Sequence, residues 1–217
     1  MSAIKCLLGV RTTTPNDLCL IETGFPLVEG LIKNSQQKFF RKIIAERSEM
    51  DDDPFTFVWR MAMAERSPCA KHICKLLDEE NPDKIAAAKL HDRVKSSLQT
   101  KARTYFNEIN PELQVHRVYK DNSLSVPEHH RRAFTRLRLF SHSLAIEKGR
   151  WSRVPRDQRL CSCGEIQTEQ HIVSECEKTD VIRANYPNVE NFSFPNFFKS
   201  SNPEIVCSIC YRCLDMY

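Results

Sequence analysis

Four metal-type donors fall inside sixteen residues, in the order Cys161-x-Cys163-x7-His171-x4-Cys176. Three sulfurs and one imidazole at that spacing suit a closed tetrahedral zinc site that leaves no position for water, which makes it structural rather than catalytic. The spacing also constrains the backbone. At 3.6 residues per turn, Cys176 lies about 140° around an ideal helix from His171, so a helix that carries both must loosen or end at Cys176. Gly164, directly after the second cysteine, permits a tight turn. Thr168 stands three residues before His171, where it can cap a helix whose first turn holds the histidine. The competing reading makes Cys161 and Cys163 loop thiols and His171 a surface histidine.

Elsewhere the pattern is helical. Apolar residues recur mostly at three- and four-residue spacing and the 217 residues include only five glycines, which predicts an all-α protein: a helical bundle with an embedded CCHC zinc knuckle and a tail of short helices. With 41% hydrophobic and 28% charged residues the composition is globular rather than disordered. The apolar patch in the first ten residues is short and interrupted, and no apolar run approaches the ~20 residues of a membrane span. The chain is therefore read as soluble and intracellular, nuclear or cytoplasmic, with no membrane partner. In that setting its cysteines serve as thiols or ligands rather than disulfides.

Thr12–Thr14 should break the chain before a helix opening with Pro15 and Asp17. Between Pro26 and Arg47, Leu27, Leu31, Ile32, Phe39, Phe40, Ile43 and Ile44 form an apolar stripe opposite Lys33, Lys38, Arg41 and Lys42. Asp51–Asp53 and Pro54 read as a capping loop for a helix that buries Phe55, Val58, Trp59 and Met63. One helix is expected from Lys84 to about Asn107 and another from Glu128 to Gly149. Three parts follow: a helical region at 1–110, a linker at 111–128, and the basic helix, knuckle and tail at 129–217. Two other cysteine groups, Cys69-x2-His72-x-Cys74 and Cys207-x2-Cys210-x2-Cys213, are assigned to packing because apolar residues surround them at helical spacing.

Charge is uneven although the formal sum is only +4. Nine basic residues between Arg131 and Arg159 stand against Glu147 and Asp157, a local excess of +7. Arg131, Arg132, Arg136, Arg138, Lys148, Arg150, Arg153 and Arg156 are the candidate contacts to RNA or DNA phosphates. Trp151 offers a surface for an unpaired base, although core packing beside the knuckle is the preferred reading of it. The bland alternative is a solvated basic face. No Gly-rich phosphate loop, HExxH or nucleophile elbow occurs, so no catalytic residue is assigned.

The run Leu137-Arg138-Leu139, Glu147-Lys148-Gly149-Arg150-Trp151, Pro155-Arg156, Arg159-Leu160-Cys161-Ser162-Cys163-Gly164, Gln167-Thr168-Glu169-Gln170-His171 and Cys176 resembles the C-terminal zinc-binding region of reverse transcriptases from LINE-like, non-LTR retrotransposons of the jockey type. Leu8-Gly9-Val10-Arg11, Thr14-Pro15-Asn16-Asp17-Leu18-Cys19, Gly24-Phe25-Pro26 and Gln37-Lys38-Phe39 resemble the segment after the polymerase palm of the same proteins. The resemblance implies a C-terminal fragment that binds one zinc ion through Cys161, Cys163, His171 and Cys176 and contacts RNA or DNA. The rest of the reverse transcriptase would be a partner. Its aromatic-x-Asp-Asp palm signature has no counterpart here, which implies no polymerase chemistry from this chain alone. The rival class is a helical scaffold or interaction remnant in which zinc only stabilises the fold, and a third reading is a truncated piece of a longer active RNA-directed DNA polymerase.

Overall fold

A computed structural model of the chain describes residues 1–47, 60, 63, 68–79, 81–187, 189, 194, 196–200 and 202–217. Among them the protein is all-α: no strand is present beyond an isolated bridge between Leu160 and Ile166. Contacts group the chain into two units, Phe25–Asp92 on the one hand and Met1–Gly24 with Arg93–Tyr217 on the other. This grouping differs from the expected division at 111–128. The expectations for Asp51–Asp53, Pro54, Phe55, Val58, Trp59 and the side chain of Cys69 lie outside the described residues. No described helix is long and apolar enough to cross a membrane.

The larger unit begins with α1 (Ser2–Leu8) and α2 (Asn16–Thr23), the latter preceded by Pro15 with Asp17 in its first turn. The smaller unit contains α3 (Val28–Arg47), α4 (Pro68–Asp78) and the main part of α5 (Pro82–Lys95). Helix α3 forms as its periodicity predicts, but the apolar stripe is not its covered side. Leu31, Ile32, Phe39 and Ile44 are exposed, Phe39 to 59%. Phe40 and Ile43 are half-buried, while the buried positions among the described residues of α3 are Gly30 and Gln37, and Gln37 donates to the carbonyls of Leu76 and Glu79, each at 2.5 Å. Lys33 pairs with Glu79 and Asn34 donates to Asp83. Ile73 and Leu76 of α4 are buried, whereas Cys74 is exposed, so packing does not explain that cysteine.

The helix expected from Lys84 to Asn107 is interrupted. Helix α5 stops at Lys95, and Ser97 Oγ accepts from the amide of Gln99 beyond it. Serine hydroxyls that bond nearby backbone compete in this way with helix continuation. Helix α6 (Thr100–Thr104) then runs into a π-turn at Tyr105–Ile109, and α7 (Arg117–Lys120) follows.

The helix expected over Glu128–Gly149 is two helices, α8 (Glu128–Arg138) and α9 (Ala145–Trp151). Between them Phe140 adopts a left-handed φ of 51°. Its amide bonds to the Leu137 carbonyl at 3.2 Å while the Ser141 amide reaches back to Arg136 at 2.8 Å. This is the Schellman pattern, which ends a helix by satisfying its last carbonyls. Phenylalanine holds the position usually given to glycine, so composition carried no stop signal.

Beyond the knuckle lie α10 (Asp180–Ala184) and α11 (Pro203–Asp215). Asn202 accepts from the Ile205 amide, and Pro203 occupies the first turn of α11. Helix α11 makes its broadest contact with α8. Cys207, Cys210 and Cys213 recur every three residues on its buried side, fully covered, and burial pushes the Cys207 and Cys213 thiols up to about 12. They are core side chains.

At the centre of this unit Arg138, only 2% exposed, pairs with fully buried Glu22 of α2, Nε to Oε1 at 2.6 Å and Nη2 to Oε2 at 3.2 Å. Tyr105, also fully buried, donates to Glu22 Oε2 at 2.6 Å and accepts from Asn110 Nδ2 at 2.8 Å. The guanidinium lies over the rings of Phe134 and Phe198, 5.2 and 5.5 Å from their centroids. Burial alone would lower the Arg138 pKa, but the Glu22 charge, Tyr105 and the hydrogen bond to Glu22 together outweigh it and hold the group above its ordinary range. Removing one member of such a pair leaves an uncompensated buried charge, worth about 3–5 kcal/mol. Glu22→Ala is expected to lose stability of that order in equilibrium urea unfolding, while Arg156→Ala, at an exposed position, stays within about 0.5 kcal/mol of wild type.

Candidate metal centre and basic surface

Leu160–Ile166 forms a narrow turn: the Cys161 amide bonds the Glu165 carbonyl at 2.7 Å and the Gly164 amide bonds Cys161 at 2.9 Å. Gly164 has a φ of 97°, a conformation L side chains rarely adopt, so glycine is required there. The chain then enters a short helix at Thr168, whose hydroxyl accepts from the His171 amide at 3.0 Å. Cap and histidine thus stand as the spacing predicts.

The angular mismatch between His171 and Cys176 is resolved in both ways available. Residues His171–Glu175 widen into a π-turn, with the Cys176 amide bonded to the His171 carbonyl at 2.7 Å, and Cys176 itself leaves the helix at φ −66° and ψ 126°. Arg183 holds this end, donating to the Cys176 carbonyl at 2.7 Å and to Thr179 Oγ1 at 2.8 Å.

All four donor atoms lie within 4.8 Å of one another. Cys176 Sγ is 3.8 Å from both Cys161 Sγ and Cys163 Sγ, and His171 Nε2 is 3.2 Å from Cys163 Sγ. Cys161, His171 and Cys176 are buried and Cys163 is half-buried, so the cluster is enclosed and compatible with a metal ion. Two further groups surround it. Glu175 Oε2 stands 3.9 Å from the other ring nitrogen of His171. The Tyr217 hydroxyl lies 3.0 Å from Cys176 Sγ and 3.5 Å from Cys161 Sγ. Burial would raise the Cys161 thiol, but hydrogen bonding by Tyr217, then at Cys163 and by His171, outweighs it and brings the group down to about 5. Sequence reading missed Tyr217, which lies far along the chain and carries no spacing signal.

The predicted basic residues divide sharply. Arg138 is a core side chain, because Glu22 and the aromatic rings enclose it, and it is withdrawn as a surface contact. Arg131 and Arg132 are half-buried, with Arg132 paired to Glu128 at 2.5 Å. Arg136 alone of the four is exposed, and it donates through Nε to the Gly9 carbonyl at 2.7 Å. Helix α8 therefore presents no open arginine face. Lys148, Arg150, Arg153 and Arg156, on α9 and the loop after it, are all exposed. Trp151, assigned to the core from sequence, is 57% exposed among them. The reason is the short register of α9, whose buried positions are Ile146, Glu147 and Gly149.

The metal cluster and this basic segment are one piece of structure. Gln167 Oε1 accepts from the Ala145 amide at 2.6 Å, and His142 Nε2 meets Glu169 Oε1 at 2.8 Å. Arg159 donates to the Ile146 carbonyl at 2.9 Å and to Val154 through two nitrogens at 2.9 and 2.7 Å, pinning the loop after α9. Buried Glu147 lies between Lys101 at 2.6 Å and Arg150 at 2.8 Å, which neutralises part of the Arg150 charge. Gly149 is the tight point: a Cβ there would meet Arg159 Nε at 2.5 Å and Cδ at 2.6 Å. Because Arg159 is held by three hydrogen bonds, Gly149→Ala is expected to cost about 1–3 kcal/mol in urea unfolding at saturating metal, as overpacking does.

Comparison with protein-family models, with curated proteins and with solved structures finds no match to the chain.

Proposed function

We propose that the chain is a non-catalytic nucleic-acid-binding module. It holds one structural zinc ion at Cys161, Cys163, His171 and Cys176 and meets RNA or DNA phosphates through Lys148, Arg150, Arg153 and Arg156. The observation that carries the reading is the enclosed three-sulfur, one-nitrogen cluster tied by hydrogen bonds to an exposed basic segment. A tetrahedral zinc with bonds near 2.3 Å to sulfur sets its sulfurs about 3.8 Å apart, and two of the sulfur separations here are 3.8 Å. Zinc–nitrogen bonds of about 2.0–2.1 Å bring nitrogen and sulfur to about 3.6 Å, which His171 Nε2 and Cys163 Sγ reach by opening slightly from 3.2 Å. Four protein ligands leave no open coordination position, so the ion would fasten the turn and the π-turn together. Tyr217 and Glu175 are placed to orient sulfur and imidazole.

The motif resemblance set out above supports an origin in the region that follows the polymerase of a non-LTR retrotransposon reverse transcriptase. The burial of Arg138 and the pairing of Arg132 favour the rival scaffold reading for α8, and they confine the nucleic-acid reading to α9 and its loop.

Native mass spectrometry should find one zinc per chain in the wild type and none in Cys163→Ser; full retention in the variant would place the metal elsewhere. Binding of single-stranded RNA and duplex DNA should weaken with salt. Each phosphate contact contributes roughly 0.7 to the log–log slope on a single strand, so replacing Lys148, Arg150, Arg153 and Arg156 by alanine together should flatten that slope by about 2–3. Equal binding and equal slopes for the two proteins would remove the phosphate-contact reading.

A further inference from the structure

Two hollows of the larger unit meet at Arg11. One, of about 310 Å³, has Arg11, Arg136, Ser141 and Ser143 in its wall. The other, of about 590 Å³, is lined by Arg11, Thr12, Thr13, Lys148, Trp151 and Ser152. Arg11 is common to both walls, so the two hollows are neighbours, one lined also by Arg136 and the other by Lys148 and the indole of Trp151. Arg11 is held in place: its amide donates to Ser141 Oγ at 2.8 Å and its Nη2 to the His142 carbonyl at 2.7 Å. A guanidinium fixed in this way loses little freedom when it takes a phosphate.

We propose that these two neighbouring hollows together form a track for a single-stranded polynucleotide, with an unpaired base stacked on Trp151 and neighbouring phosphates on Lys148, Arg11 and Arg136. The proposal rests on the nucleic-acid reading above and adds to it the form of the ligand and a set of contacts outside Lys148–Arg156. Its argument is the juxtaposition of an exposed indole with fixed positive charge. Every unpaired base has a π-face to offer, and stacking is tolerant of sequence. A duplex keeps those faces inside its own stack. The hydroxyls of Thr12, Thr13 and Ser152 beside the indole are further donors to phosphate or sugar oxygens.

The track has an end. Beyond Arg136 a further hollow contains Asp215 and Arg132, and Arg132 is already paired with Glu128 at 2.5 Å. The Tyr211 ring there is occupied, stacked on His130 at 4.8 Å and met edge-on by His129 at 4.7 Å. Negative charge and a used ring make that hollow a poor continuation. An acidic peptide would satisfy the cations but gives Trp151 no aromatic face, so the polynucleotide is the better occupant.

The test uses the full chain with zinc bound and three fluorescent probes of about 12 nucleotides, a length within single-strand site sizes: oligo(U) RNA, oligo(dT) DNA, and a mixed-sequence DNA duplex. Anisotropy should show both single strands bound more tightly than the duplex. Trp151→Ala should weaken single strands by about 5- to 150-fold, the range of one lost base stack, and leave the duplex unchanged; Trp151→Phe should restore most of the loss. Arg11→Ala should weaken single strands and lower their salt slope by about 0.7. Unchanged thermal melting of the Trp151 variants, by circular dichroism, confirms that binding alone is altered. If single strands bind in a salt-dependent way but Trp151→Ala and Arg11→Ala match wild type, the track is overturned while the nucleic-acid reading stands. If poly-glutamate displaces RNA from wild type and Trp151→Ala with equal potency, the occupant is any acidic polymer and the track is likewise overturned. If none of the probes binds at low salt, both readings fall together.

Discussion

The buried ion pair of Arg138 with Glu22 organises the core of the larger unit around α8. A guanidinium taken out of water loses several kcal/mol of hydration, which is tolerable only with an opposite charge and further hydrogen bonds in reach. Glu22 provides the charge, Tyr105 shares it, and the Phe134 and Phe198 rings cover the faces. The pair joins α2, α8, the π-turn after α6 and the short turn at Asn196–Lys199, four segments distant in sequence. Burying Arg138 also turns α8 so that Phe134 and Leu137 are enclosed and only Arg136 is left exposed on its last turn. The same interaction that stabilises the core therefore keeps α8 from serving as a basic face.

That consequence explains what could and could not be read from the sequence. Metal-type donors were legible because ligation needs specific residue types at restricted spacing, and the conflict between His171 and Cys176 on a regular helix could be stated before any coordinates. The all-α class followed from three- and four-residue apolar spacing. Side-chain fate within the basic run was not legible. An arginine in a charged stretch looks the same whether it meets solvent or a carboxylate 116 positions earlier in the chain, and Glu22 carries no local mark of its role. Phe140 concealed a helix end for a similar reason: it adopts the left-handed conformation without being glycine or asparagine. The apolar stripe of α3 misled in the opposite sense, since Gln37 is buried while Leu31, Ile32, Phe39 and Ile44 are exposed in the described structure.

The donor cluster and the positive charge would play separate parts in this arrangement. A divalent ion held by the four donors would have its electrostatic reach reduced by three thiolates. Its part would be mechanical: closing the Cys161–Gly164 turn against the π-turn at His171 would fix Gln167 and Glu169, and through them the start of α9 and His142. Arg159 fastens the far end of the same loop. Between these two anchors Lys148, Arg150, Trp151, Arg153 and Arg156 are held at the surface by a short, highly constrained backbone, and Arg153 even adopts a left-handed φ of 54°.

A surface held this way gains in preorganisation what it lacks in number of charges. Arg150 is partly neutralised by Glu147, so the contribution it would make to phosphate binding is smaller than its exposure suggests. Arg11, drawn from the distant start of the larger unit and locked by Ser141 and His142, adds positive charge to the hollow that Trp151 lines. The indole, 57% exposed, thus lines one hollow together with Lys148 and a fixed guanidinium. Apolar surface left in water is unfavourable by about 25 cal/mol per Å². A base that covers the indole removes that cost while its phosphates meet the cations, and only a strand with unpaired bases can do both at once.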